Sequence, residues 1–357
     1  MKPKELEILA PYAIKNQAPL VVLGSSGTGK TQIMLQAGEK VGAEILPPLY
    51  LGMIDPVDIG GMNIPTQPDA SGTRRLERLL DDWLEPAFSA TELTLLLLDE
   101  FDKGTHAVQC AAAPLFDLRR CGKHKLPDCV AVVGTANEVK HRAGSVPTLT
   151  HLISRTTRIH YEVDPVAWLE RAVKDRTAPE VISFIKQYPS HLDVSLRADK
   201  GNWEEIYQSG QSYENPRSWY TVSRHIQQGL DRQLEREVFD GVVGNGVNRL
   251  FQSHLTLVRE SVDIIAALAG RRWKFPPKDK VGARYAFSIG FGACASAEAA
   301  GRVVAIAAEL YDQKEAEYGE IVIQTAMGSF AGMMDMPAWS DLREHPLGQA
   351  MLKLRRI

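Results

Sequence analysis

Residues 21–31 read VVLGSSGTGKT, and the reading of this run decides the fold. It matches G-x-x-x-x-G-K-[ST], with Gly24, Gly29, Lys30 and Thr31 in the set positions. Each residue type has a physical reason. Glycines let backbone N–H groups curl around phosphate oxygens, a lysine reaches the β- and γ-phosphates, and a threonine hydroxyl suits Mg2+. Upstream, Ala18 to Leu23 reads as a buried strand. Downstream, Ile33, Met34, Ala37 and Val41 recur at near-helical spacing, so the loop joins strand to helix. Gly24, Ser25, Ser26, Gly27, Thr28, Gly29, Lys30 and Thr31 are therefore candidate nucleotide contacts, with Thr31 also a candidate metal ligand.

A second informative stretch is Leu95 to Leu98 followed by Asp99 and Glu100. A strand buried on both faces reads as a continuous apolar run, and carboxylates at its carboxyl end stand where ligands bind in open α/β sheets. Asp99 is placed to hold Mg2+, directly or through water, and Glu100 to polarise a water for attack on a γ-phosphate. The next strand candidate, CVAVVGTAN at 129–137, ends in Asn137. An Asn after a strand is by itself a common turn residue. In a sheet that inserts this strand beside the phosphate loop, it can position the attacking water instead.

Strand-like and helix-like stretches alternate through about residue 163, as in a parallel sheet covered by helices. Strands are expected at Leu20 to Leu23, Glu44 to Leu51, Thr94 to Leu98, Cys129 to Thr135 and Arg158 to Val163. From Pro165 onward only helical patterns follow, so the fold class is α/β, then all-α. The expected division is a core at 1–163 with an insert around 53–80, an all-α lid at 164–255, and a helical extension at 256–357. Within the insert, MNIP and TRRLERL flank the turn-like TQPDASG, the pattern of a hairpin. The final AGMMDMPAWSDLREHPLGQAMLKLRRI reads as a docking tail or peripheral helix.

A formal charge of -3 argues against coating nucleic acid by bulk electrostatics and leaves a local basic channel open. RRWKFPPKDK at 271–280 combines basic and aromatic residues. Such a stretch grips nucleic acid, or is a solvated loop with Trp273 and Phe275 anchored in the core. Cys110, Cys121, Cys129 and Cys294 lack a disulfide-framework spacing, which fits free thiols in a reducing compartment. No signal peptide is expected, since MKPKELEILAPYAI is an amphipathic start without a long apolar core, and no membrane span, since Gly290 to Leu310 is interrupted by Glu298, Arg302 and Glu309. The expected location is cytoplasmic.

The ordered motifs resemble the AAA+ ATPases, and within them the MoxR-like branch related to the RavA, CbbQ and NorQ proteins. The stretches that carry the resemblance are GSSGTGKT, DPVDIGGMNIP at 55–65, LLLLDEFDKGTHAVQCAAAPLFDLRR at 95–120, GTAN, HLISRTTR at 151–158 and NPRSW at 215–219. Together they span about residues 15 to 255. The resemblance implies ATP and Mg2+ as ligands, with Asp99 and Glu100 as the acidic pair and Asn137 as a catalytic polar sensor. It implies that Arg155 acts on a neighbouring subunit's γ-phosphate. Thr156 replaces the aromatic residue usual after that arginine, so Arg158 stands as a second candidate. Arg217 matches a second sensor that contacts nucleotide from the lid. Locally, Asn215 suits an N-cap and Pro216 the first helical position, which puts Arg217 where the helix dipole disfavours a cation. Its partner is then phosphate or Glu214.

An arginine supplied in trans gives a reason for a ring. The expectation is a homo-oligomer, hexameric by resemblance, that spends ATP to remodel a protein partner, with a von Willebrand factor A domain protein as adaptor. A helicase or translocase motor on the same core is the alternative, and a small-molecule P-loop kinase a third reading. A GTPase is disfavoured because no N-K-x-D segment is present.

Overall fold

The computed structural model describes residues 1–68, 70–121, 124–137, 153–197, 206, 210–261 and 267–353. His151 and Leu152 of the HLISRTTR stretch and Asp69 of the hairpin turn lie outside the described residues. The chain forms two compact units, one holding Met1–Val163 and Gly201–Gly210, the other the remainder.

The first unit begins with α1 (Pro3–Lys15), β1 (Leu20–Gly24) and α2 (Lys30–Lys40). Two short strands follow, β2 (Glu44–Ile45) and β3 (Leu49–Tyr50), then α3 (Pro56–Gly60), β4 (Met62–Pro65), β5 (Leu76–Leu79) and α4 (Glu85–Ser89). β6 (Thr94–Asp99), α5 (His106–Asp117), β7 (Arg120–Cys121), β8 (His124–Lys125), β9 (Val130–Asn137) and β10 (Thr157–His160) complete it. The main sheet runs β10-β1-β9-β6-β2, with β3 also paired to β6, and every pairing in it is parallel.

The apolar strands are buried on both faces, and alternation divides them between two cores. Leu20, Val22, Leu95, Leu97, Ala131 and Val133 join residues of α1 and α2, while Val21, Leu23, Leu96, Leu98, Val130 and Val132 join those of α3 and α5. The single strand expected at Glu44 to Leu51 is instead two. Pro47 and Pro48 lack the N–H that a ladder needs, so pairing stops between Ile45 and Leu49. β10 likewise ends at His160, short of the expected Val163. β4 and β5 form the antiparallel hairpin expected between 62 and 79. Asp55 and Asp58 act locally, forming a reciprocal capping box at the start of α3.

In the second unit come α6 (Pro165–Lys174), α7 (Pro179–Gln187), α8 (Pro216–Gln227), α9 (Arg232–Val243) and α10 (Asn245–Ser261). After these follow α11 (Val281–Ala293), α12 (Ala300–Asp312), α13 (Ala316–Ser329), α14 (Pro337–Glu344) and α15 (Pro346–Lys353). The apolar stretch 290–310 is thus two helices, and α10 runs continuously through residue 255. Gly282 lets α11 approach closely, since a Cβ there would stand 2.7 Å from Cε1 of His254. Among its described residues, the final stretch packs into the core rather than forming a tail. Met333, Trp339, Leu342, Leu347 and Met351 are buried with Phe287, Phe291 and Val322, because spacings of three and four residues put them on inward faces. Trp273 and Phe275 are anchored as well, each against Phe287.

Candidate nucleotide site

All five residues of β1 are buried, and the chain leaves Gly24 into a loop that only glycine can make. Gly27 and Gly29 have φ of 75° and 90°, the left-handed region that side chains disfavour. Thr28 Oγ1 donates to the Ser25 carbonyl at 2.8 Å and closes the loop. Ser25 is buried and Ser26 half-buried within it.

Parallel pairing carries the chemistry to this loop. β9 lies between β1 and β6, with Asn137 in register with Gly24 and Gly134 with Leu98. The buried Lys30 ammonium donates to the carbonyls of Gly24 (3.0 Å) and Ser25 (2.7 Å) and to Oδ1 of Asn137 (3.2 Å). Thr31 Oγ1 donates to Oδ2 of Asp99 at 2.8 Å. Lys30, Thr31, Asp99 and Asn137, far apart in sequence, therefore meet at the carboxyl ends of the strands.

Two partners were not anticipated from the sequence. Thr135 donates its hydroxyl to Oδ1 of Asp99, and buried Asp102 accepts from the backbone N–H of Asn137 at 2.7 Å and from its Nδ2 at 3.2 Å. The Asn137 amide is thereby oriented, its NH2 toward Asp102 and its oxygen toward Lys30. Signals for both were present: Thr135 shares a strand face with Asn137, and Asp102 is a further carboxylate three residues after Asp99. Glu100 caps the strand end with an exposed side chain and a left-handed backbone, φ 52° and ψ 44°. For a non-glycine residue that conformation costs about 1 kcal/mol, a strain of the kind retained at functional positions.

The arginine candidates lie elsewhere. β10 pairs so that Thr157 faces Leu20 and Arg158 faces Val21, at the amino end of β1. At about 3.3 Å per residue, Leu20 and Gly24 are roughly 13 Å apart, and Arg155 is two residues farther from the loop. Arg155 and Arg158 thus belong to the sheet end opposite their own phosphate loop. Arg155 Nε pairs with Oδ2 of Asp117 at 2.6 Å, whereas burial lowers the pKa of the half-buried Arg158 guanidinium.

Arg217 is exposed in the first turn of α8, in the second unit. Glu214 pairs with Arg197, and among the described residues Arg217 makes no ion pair. Asn215 caps this helix by accepting from the Ser218 N–H at 3.0 Å.

No protein-family model matches the sequence, and no curated protein matches it. Solved structures do share similarity with it. A RuvB mutant from Thermotoga maritima is 14% identical with a TM-score of 0.39, over 78% of this chain and 80% of that one. The RuvB Holliday junction branch migration motor of the same organism gives 13% and 0.37, over 73% and 69%. NtrX from Brucella abortus gives 12% and 0.33, over 70% and 67%. Likenesses this distant are of fold alone, and the chemistry assigned below comes from this chain's own residues.

Proposed function

We propose that this chain is an AAA+ ATPase of the MoxR-like kind, hydrolysing ATP to ADP and phosphate within a homo-oligomeric ring to remodel a protein partner. One observation carries the reading: insertion of β9 between β1 and β6 joins Asn137 to Lys30 beside the Thr31–Asp99 pair. An inert phosphate-binding loop has no need of a polar sensor and an acidic strand end converging on the same lysine.

In this reading the loop N–H groups and Lys30 hold the β- and γ-phosphates, with Lys30 exchanging carbonyl partners for phosphate oxygens. Thr31 and Asp99 offer hard oxygen donors of the class Mg2+ takes, and would hold it. Bound there, Mg2+ neutralises charge on the phosphate oxygens. Glu100 polarises the attacking water, and the Asn137 oxygen, aimed by Asp102, orients it. Arg155 is too far along the sheet to serve its own loop, which favours delivery to a neighbouring subunit. The resemblance gives Arg217, exposed and without an ion-pair partner among the described residues, the role of second sensor, with 164–255 as the lid.

A hexameric ring follows from the resemblance, as does a separate von Willebrand factor A domain adaptor. The β4–β5 hairpin, with Met62, Ile64 and Leu79 exposed on one face, supplies an apolar surface for a protein substrate. Nucleic acid is disfavoured as the partner because Trp273 and Phe275 are spent on packing rather than left for base stacking. Glu100→Gln should bind ATP, retain it unhydrolysed and capture the protein partner in that state. A strictly monomeric preparation that turns over ATP at full speed at every dilution ends the ring proposal.

A further inference from the structure

Asp117 is the last residue of α5, and both its carboxylate oxygens are engaged. Oδ1 accepts from the Leu118 N–H at 2.7 Å, and Oδ2 meets Nε of Arg155 at 2.6 Å. The Asp117 side chain is 18% exposed and that of Arg155 46%. A pair this open to solvent adds little stability. Its consequence is geometric, since a charge-assisted contact at Nε restricts where the guanidinium can point.

The other end of α5 stands near the nucleotide site. Thr105 caps it by accepting from the Val108 N–H, Gln109 Nε2 donates to the Gly104 carbonyl, and the preceding turn contains Asp102, which aims Asn137. Beyond Asp117, Arg119 donates to the carbonyl of Val130, at the amino end of β9. α5 therefore crosses the sheet from the strands' carboxyl ends to their amino ends. Its twelve residues make a rod of about 18 Å.

We infer that Asp117 is a positioning residue for Arg155: it holds the guanidinium in the pose offered to the adjacent subunit, and α5 ties that pose to the Asp102–Asn137 contact of its own subunit. The inference rests on the reading of Arg155 as acting in trans. Displacing Arg155 by an ångström would then weaken catalysis next door without touching the local site.

The test compares Asp117→Asn, which keeps an acceptor for Leu118, with Arg155→Ala, each alone, combined, and mixed with Lys30→Ala subunits that lack turnover but carry an intact arginine. Asp117→Asn should keep its ATP Kd within about twofold and lose tenfold or more in kcat, part of the roughly 10³- to 10⁵-fold an arginine finger supplies. Mixing with Lys30→Ala should restore turnover, and adding Asp117→Asn to Arg155→Ala should cost nothing further. Wild-type kcat in Asp117→Asn beside an inactive Arg155→Ala overturns the role of Asp117 alone. Loss in Asp117→Asn that mixing does not restore, where Arg155→Ala is restored, also overturns it. Full turnover by Arg155→Ala overturns the trans reading itself. Should Asp117→Asn fail to fold, Asp117→Ser keeps an acceptor near Leu118 but is too short to hold Nε, so a wild-type kcat in that variant refutes the proposal.

Discussion

Buried polar groups are used differently in the sheet unit and the helical unit. In the sheet unit, Lys30, Thr31, Asp99, Asp102, Thr135 and Asn137 converge on one strand edge, and Glu100 holds a strained backbone beside them. In the helical unit, such groups close on themselves in pairs. Arg284 lies between the rings of Phe275 and Tyr318, 4.6 and 4.5 Å from their centres, and binds Glu315. Arg259 meets both oxygens of Glu235, and His254 exchanges a hydrogen bond with Ser183 inside an aromatic cluster with Phe184 and Phe251. The first pattern leaves a charge-lined site whose partners can be exchanged for a ligand's; in the second, these groups face one another inside a packed core. Substitutions in the first should cost chemistry, and substitutions in the second should cost stability.

The largest effect sharpens that contrast on the sheet side. Glu100→Gln should lower single-turnover hydrolysis by about 10²- to 10⁴-fold, the range of general base catalysis, with its melting temperature unchanged. Next, on the helical side, Phe287→Ala should cost about 3–5 kcal/mol in denaturant unfolding while the folded protein keeps its ATP affinity. Reversal of either outcome would break the comparison.

A smaller effect concerns pH. Burial lowers the His254 pKa from 6.5 to about 4, so the folded state binds this proton less readily than the unfolded one. Its contribution is complete above about pH 6.5 and is lost as pH falls toward 4, a change of about 3 kcal/mol. His254→Gln should flatten the stability profile across that window, while costing about 1 kcal/mol near neutrality through the disturbed Ser183 hydrogen bond. The smallest effect returns to the strained corner. Glu100→Gly should gain about 0.5–1 kcal/mol in stability, the left-handed penalty less glycine's extra chain entropy, while remaining as inactive as Glu100→Gln. Loss of stability there would mean the backbone strain is not intrinsic to the side chain.

Much of the sheet unit was legible because its elements are declared by local pattern. Leu95 to Leu98 reads as a strand buried on both faces, and Gly24 to Thr31 has few other uses. Asp102 and Thr135 were harder to see, because each acts through a residue brought near by strand pairing rather than by spacing. The helical unit misled in its last thirty residues. Met333, Trp339, Leu342, Leu347 and Met351 are scattered among Pro337, Pro346 and several charges, and only their neighbours reveal a common inward face. Pro47 and Pro48 were visible, but a continuous strand was expected across them.

The phosphate loop, the acidic strand end and the change from α/β to all-α were determined by the sequence itself, because backbone permissiveness, burial period and prolines act over a few residues. Which strands are neighbours was decided only in three dimensions. A parallel pairing joins segments more than a hundred residues apart through backbone groups that every residue carries. That pairing seats Asn137 beside Lys30, and it keeps Arg155 at the far end of the sheet.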